Sequence, residues 1–85
     1  MYNEIPEKTI GALTRYRDDR VPGGGFLHAV LANDLAAAFA RADSDNLQAL
    51  GTIINWLNWE LPASSWGSYR AVEDWLNEAT ENSFL

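Results

Sequence analysis

Apolar residues recur along this chain at spacings of three and four rather than in alternation, so the pattern predicts helices. Ile10, Leu13 and Tyr16 share one side of a first segment, and Pro6 suits its opening turn because the missing N–H would be unpaired there anyway. A helix is expected from about Pro6 to Asp18. It ends before Val21-Pro22-Gly23-Gly24-Gly25, where Pro22 pushes Val21 out of the α region and three glycines free the backbone for unusual torsions. Phe26 with Val30 and Leu27 with Leu31 then form i, i+4 pairs, and the pattern resumes at Leu35, Ala38, Phe39 and Ala42. Asn33-Asp34 interrupts it with two capping residues. The preferred reading is therefore a short helix, a break and a second helix capped by Asp34, with one continuous helix over 25–42 as the alternative.

Asp43-Ser44-Asp45-Asn46 is rich in N-cap residues and places acidic groups at a helix start, where they are favoured. Leu47, Leu50, Ile54, Leu57 and Leu61 continue from it as one apolar stripe, the clearest helix in the chain. Pro62 stops that helix at about Leu61, and Ala63-Ser64-Ser65-Trp66-Gly67 has turn chemistry. Ser68 can cap a last helix carrying Val72, Trp75 and Leu76 on one face, with fraying expected from Thr80 to Leu85. No segment alternates over a strand's length and no hairpin turn occurs. The expected fold is all-α: a compact single-domain bundle of four or five short helices over 1–85, ordered from about 5 to 77, with 78–85 a frayed tail.

Composition narrows what such a bundle can do. With 85 residues, nearly half of them apolar and four of them Trp, the chain is too hydrophobic to be disordered at a net charge of -6. A chain this short hides only roughly 60% of its unfolded surface, and its Trp, Phe and Leu exceed what a minimal bundle covers, so a homo-oligomer is expected. The absence of cysteine removes disulfides, thiolate nucleophiles and Cys-based metal sites, and with a single histidine, His28, neither a metal centre nor a catalytic triad has its parts. No catalytic residue, metal or cofactor is therefore assigned, and His28 reads as a structural or half-exposed residue. Asp18-Asp19 and Glu73-Asp74 are adjacent, point about 100° apart on a helix and read as solvated surface. No apolar run is long enough to enter a membrane, and the acidic balance argues against direct nucleic-acid binding. The charge is lopsided: Lys8, Arg15, Arg17 and Arg20 precede the glycine run, whereas after Glu60 only Arg70 opposes Glu73, Asp74, Glu78 and Glu81.

One stretch has the makings of a ligand site. Arg15, Arg17 and Arg20 run into Gly23-Gly24-Gly25 and Phe26; glycine-rich backbone lets N–H groups converge, and arginine donors match phosphate oxygens. The spacing is not that of a P-loop or a dinucleotide fingerprint, and an interhelical turn explains the same glycines. Four tryptophans in so short a chain could stack on bases or fill a core. Trp75 and one of Trp56 and Trp59 read as core, and Trp66, in the turn ending at Ser68, is the best candidate for another role. Arg15, Arg17, Arg20, Gly23, Gly24, Gly25, Phe26, Trp66 and Ser68 together are the candidate ligand-binding residues.

Four segments carry a wider resemblance: Ile5-Pro6, Pro22-x-Gly24-Gly25-Phe26-Leu27-x-Ala29-Val30-Leu31-x-Asn33-Asp34-Leu35, Arg41-Ala42-Asp43-x-x-Asn46 and Leu61-Pro62-x-x-x-Trp66-Gly67-Ser68. From about Ile5 to Leu76 the chain resembles a family of small proteins encoded by bacteriophages and prophages. It departs at Ser65, where many relatives carry Cys, which argues against a thiol-dependent role. The resemblance implies genomic context rather than chemistry, and a setting in the cytoplasm of an infected bacterium. In that context a non-catalytic counter-defence protein is expected. Sequestration of a phosphorylated host nucleotide signal is the leading reading, and inhibition of a host defence protein, as an anti-CRISPR-like or nucleic-acid-mimicking surface, is the alternative.

Overall fold

The computed structural model describes residues 4–82, and among them there are six α-helices, one 3-10 turn and no strand. The helices are α1 (Glu7–Asp19), α2 (Gly25–Leu31), α3 (Leu35–Arg41), α4 (Ser44–Gln48), α5 (Leu50–Glu60) and α6 (Tyr69–Asn82), with the 3-10 turn at Ala63–Ser65. The fold is an all-α bundle. The helix expected to fray from 78 continues through Asn82, and the rest of that expected tail, 83–85, lies outside the described residues. No helix among the described residues is long and apolar enough to cross a membrane.

Side-chain caps fix three of the six helix starts. Asp34 accepts from the Ala37 N–H at 3.1 Å and Asp43 from the Asn46 N–H at 2.8 Å, while the Ser68 hydroxyl accepts from Ala71 at 3.0 Å. Residues 25–42 are thus two helices. Between them Asn33 adopts φ 62, and the Asn33 and Asp34 N–H groups return to the Val30 and Ala29 carbonyls, a Schellman-type end that makes a continuous helix impossible. The left-handed torsion after α1 is carried by Arg20 (φ 57), not by a glycine of the Gly23–Gly25 run. Gly23 serves packing: a Cβ there would lie 3.0 Å from Leu27 Cβ.

The expected single helix from Leu47 to Leu61 is bent instead. Hydrogen bonds continue through Ala49, from its N–H to Asp45 and from Ile53 to its carbonyl, but its torsions (φ -90, ψ 1) divide α4 from α5. Ala49 is fully buried and offers only a methyl there, which lets the chain wrap closely round the core.

That core joins Leu13 and Tyr16 of α1, Leu27, Ala29, Val30 and Leu31 of α2, Ala38 of α3, Ile53 and Leu57 of α5 and Val72 of α6. Of the expected α5 stripe, Leu57 and Leu61 are buried and Leu50 packs against the core, but the inward face is completed by other residues. Ala49, Ile53 and Leu57 face inward, while Leu47 and Ile54 are exposed; on α3 only Ala38 is buried, and Leu35 and Phe39 face out. Two stripes with helical spacing coexist on α4–α5, and the pattern alone does not say which one the core takes. Polar ties lock the packing: Tyr16 donates its hydroxyl to the Ser65 carbonyl at 2.7 Å, Trp75 Nε1 donates to the Tyr16 carbonyl at 2.9 Å, and Gly67 N–H meets the Leu31 carbonyl at 2.7 Å.

Candidate functional site

The glycine run does border a cleft, but different cations line it from those the sequence places beside it. A cleft of about 290 Å³ opens between the start of α1, the start of α2 and the α3–α4 connection, lined among others by Lys8, Gly24, Gly25, Phe26, Arg41 and Asn46. Its floor is set by Thr9, whose hydroxyl donates to Asn46 Oδ1 at 2.6 Å and so ties α1 to α4. Asp43, spent on capping α4, is the carboxylate on its wall. Gly25 matters sterically, since a Cβ there would sit 3.4 Å from Arg41 Cδ, and the arginine stem lies across the start of α2. Gly24 has nothing within 4 Å of the corresponding position, so its face is open to the cleft.

The three arginines of the first helix point elsewhere. Arg15 is exposed and its guanidinium returns over its own helix, with Nη1 3.3 Å from where a Gly11 Cβ would be. Arg17 pairs with Asp18 at 2.8 Å and Glu60 at 3.8 Å, and stands 5.5 Å from the Trp56 ring centroid. The Asp18 hydrogen bond holds the Arg17 guanidinium protonated to higher pH than usual and the Asp18 carboxyl below the ordinary carboxylate range. Arg20 lies 3.6 Å over the Trp75 ring, donates to the Trp75 carbonyl and pairs with Glu78. Arg17 and Arg20 thus join the first helix to the C-terminal half of the molecule.

Trp66 and Ser68 also lie away from the cleft. Trp66 is half-buried against the core together with Trp56 and Trp75, and Ser68 caps α6. Trp59 is 76% exposed. Of the nine residues named from the sequence, Gly24, Gly25 and Phe26 line the cleft; Gly23 packs on Leu27, and the other five are occupied outside it. Lys8 and Arg41, which sequence reasoning passed over, complete it. Their only trace in the sequence is the position of Arg41 at the head of the Arg41-Ala42-Asp43-x-x-Asn46 segment.

A second polar group forms where α2, α3 and α6 meet. The Tyr69 hydroxyl donates to Asp34 Oδ2, and the His28 ring lies 5.4 Å from the Tyr69 ring at a tilt of 44°. This hydrogen bond, with the Ala37 N–H, holds the Asp34 carboxyl below its usual range and raises the Tyr69 phenol. A phenol held protonated is not an activated nucleophile, so the arrangement reads as a tie between α6 and the start of α3. No group of three or more His, Cys, Asp or Glu among the described residues could hold a metal ion. No family model, curated protein or solved structure matches this chain.

Proposed function

We propose that this chain is a non-catalytic binding protein that holds a phosphorylated nucleotide signal in the cleft between α1, α2 and the α3–α4 connection. The observation that carries the reading is the state of its cations. Among the described residues, Arg17, Arg20 and Arg70 form ion pairs, while Lys8, Arg15 and Arg41 form none, and of these three Lys8 and Arg41 stand on the cleft wall. Two cations outside any direct ion pair beside an open glycine backbone suit a phosphate group, with Arg41, whose charge also helps to lower the Asp34 carboxyl, able to offer two parallel donors. Phe26 supplies an apolar edge for a base. At about 290 Å³ the cleft is at the small end of ligand pockets, which fits one phosphate and part of a nucleoside rather than a whole enclosed ligand. In the phage context implied by the sequence resemblance, holding such a signal unchanged would serve counter-defence.

Titration calorimetry with cyclic di- and trinucleotides and cyclic ADP-ribose-type molecules tests this. Arg41→Ala or Lys8→Ala is expected to weaken binding by roughly 1.5–3 kcal/mol, with the melting temperature unchanged. Gly24→Val, placed in open space, should block the ligand at little cost to the fold. Arg17→Ala and Arg20→Ala should leave affinity intact, and bound ligand should be recovered chemically unchanged. If none of these molecules binds tighter than about millimolar, equivalent to ~4 kcal/mol, the reading fails. The target to seek is then a host protein with a basic surface, facing the exposed Glu73, Asp74 and Glu78 of α6.

A further inference from the structure

Helix α3 is built inside out. Its buried residue is Ala38, while Leu35 is 63% and Phe39 53% exposed, one turn apart on the same side. Across a shallow groove lined by Leu35, Ala38, Leu50 and Ile54, with Asn33 and Asp34 at one end, the α4–α5 segment shows Leu47 and Ile54 to solvent at 40% and 39%. The core has no use for this second apolar stripe, since Ala49, Ile53 and Leu57 already fill the inward positions. From Leu35 to Ala40 and again from Leu47 to Trp59 no residue carries a charge, although α1 and α6 present charges along their exposed sides. Gly51 adds a further sign. It sits inside α5, where glycine weakens a helix, and nothing in the chain lies within 4 Å of a Cβ built on it. Its lack of a side chain serves no contact within the molecule and leaves the outer α5 backbone open to close approach.

We infer that the α3–α5 face is the interface with a second copy of this chain, paired about a two-fold axis. Charge selects that occupant. The face has no cations for nucleic acid or anionic lipid, and no acidic strip for a basic protein. Two copies of net charge -6 repel one another through most other surfaces, whereas here apolar side chains can meet beside a single carboxylate, Asp34, which already accepts from the Ala37 N–H and the Tyr69 hydroxyl. Leu35, Phe39, Leu47 and Ile54 leave on the order of 400 Å² bare, about half of what each partner buries in a standard interface, and Gly51 with its neighbours extends it. The surface lies apart from the proposed anion cleft, so either inference can fail without the other.

Sedimentation equilibrium of the full chain, up to about 100 μM, reads the interface directly. The wild type is expected to be dimeric, and Leu35→Glu or Phe39→Glu, both at exposed positions, to raise the dissociation constant at least about 30-fold with unchanged helical circular dichroism. Gly51→Ala gives an independent reading: it should raise the melting temperature of the diluted monomer while weakening the dimer. A wild type that stays monomeric throughout, glutamate variants that dimerise like the wild type, or a Gly51→Ala chain that gains in both measurements would each overturn the proposal.

Discussion

Tyr16 shows how much structure one residue can hold. Its ring is buried, its hydroxyl donates to the Ser65 carbonyl, and its own carbonyl accepts from Trp75, so α1, the 3-10 turn and α6 meet on it. Burial pushes the phenol from 10.0 up to about 12, against the pull of nearby Arg20. The sign follows from which form folding prefers. A folded pKa above the unfolded one means that the stabilisation is complete below pH 10 and is lost as pH rises from about 10 to 12. The loss is at most about 3 kcal/mol, from a shift of about two pKa steps at ~1.4 kcal/mol each. Urea unfolding measured through this range should show the decline, and Tyr16→Phe should remove most of it, leaving a smaller part from Tyr69. At neutral pH the same variant should cost about 1–2 kcal/mol, because it orphans a buried carbonyl. A variant as alkali-sensitive as the wild type would assign the decline elsewhere. Nothing in the sequence distinguishes Tyr16 from Tyr69 in this respect; the partner of Tyr16 lies 49 residues away.

Among the elements, what was legible is what is local. Asp34, Asp43 and Ser68 cap helices because a short side chain reaches an N–H three residues on, an interaction contained in four residues of sequence. The register of α5 was not legible, since Ile53 and Ile54 both continue an apolar stripe and only tertiary contact decides between them. The cleft was legible in part for the same reason: Gly24, Gly25 and Phe26 follow one another, whereas Lys8 and Arg41 come together only through folding. Two predictions belong at this scale. Ser68→Ala should lower stability by about 1 kcal/mol in urea unfolding without altering ligand affinity, separating its cap from any role in the cleft. Tyr69→Phe should act on the acid side. Asp34 is held below its ordinary range chiefly by the Tyr69 hydroxyl, so its contribution is present above about pH 4 and is lost as pH falls further. Removing that hydroxyl should flatten the acid limb of the pH–stability curve, and an unchanged limb would mean that the hydrogen bond contributes little in solution.

At the scale of the whole molecule, the lopsided charge of the chain becomes an internal complementarity. Arginines at the end of the first helix fold against the acidic second half, with Arg17 reaching Glu60 and Arg20 reaching Glu78. What reads along the sequence as an anion receptor is thus partly satisfied within the fold, and the cations outside any ion pair are Arg15, exposed on α1, with Lys8 and Arg41 on the cleft wall. The two inner pairs are not equivalent. Arg17 forms exposed pairs that solvent screens, so Arg17→Ala should leave the urea midpoint close to that of the wild type. Arg20 stacks on Trp75 at 3.6 Å and donates to its carbonyl, ending α1 and holding α6 in one contact. Arg20→Ala should therefore cost about 1–2 kcal/mol, through lost stacking as much as lost charge, and should shift the tryptophan emission as the Trp75 ring is uncovered. Added salt separates the two contributions: a stacked arginine should retain most of its effect at high ionic strength, whereas a pair with Glu78 alone should not. Equal, negligible losses for Arg17→Ala and Arg20→Ala would show that neither arginine is committed to the fold, and would return both to consideration as ligand-binding residues.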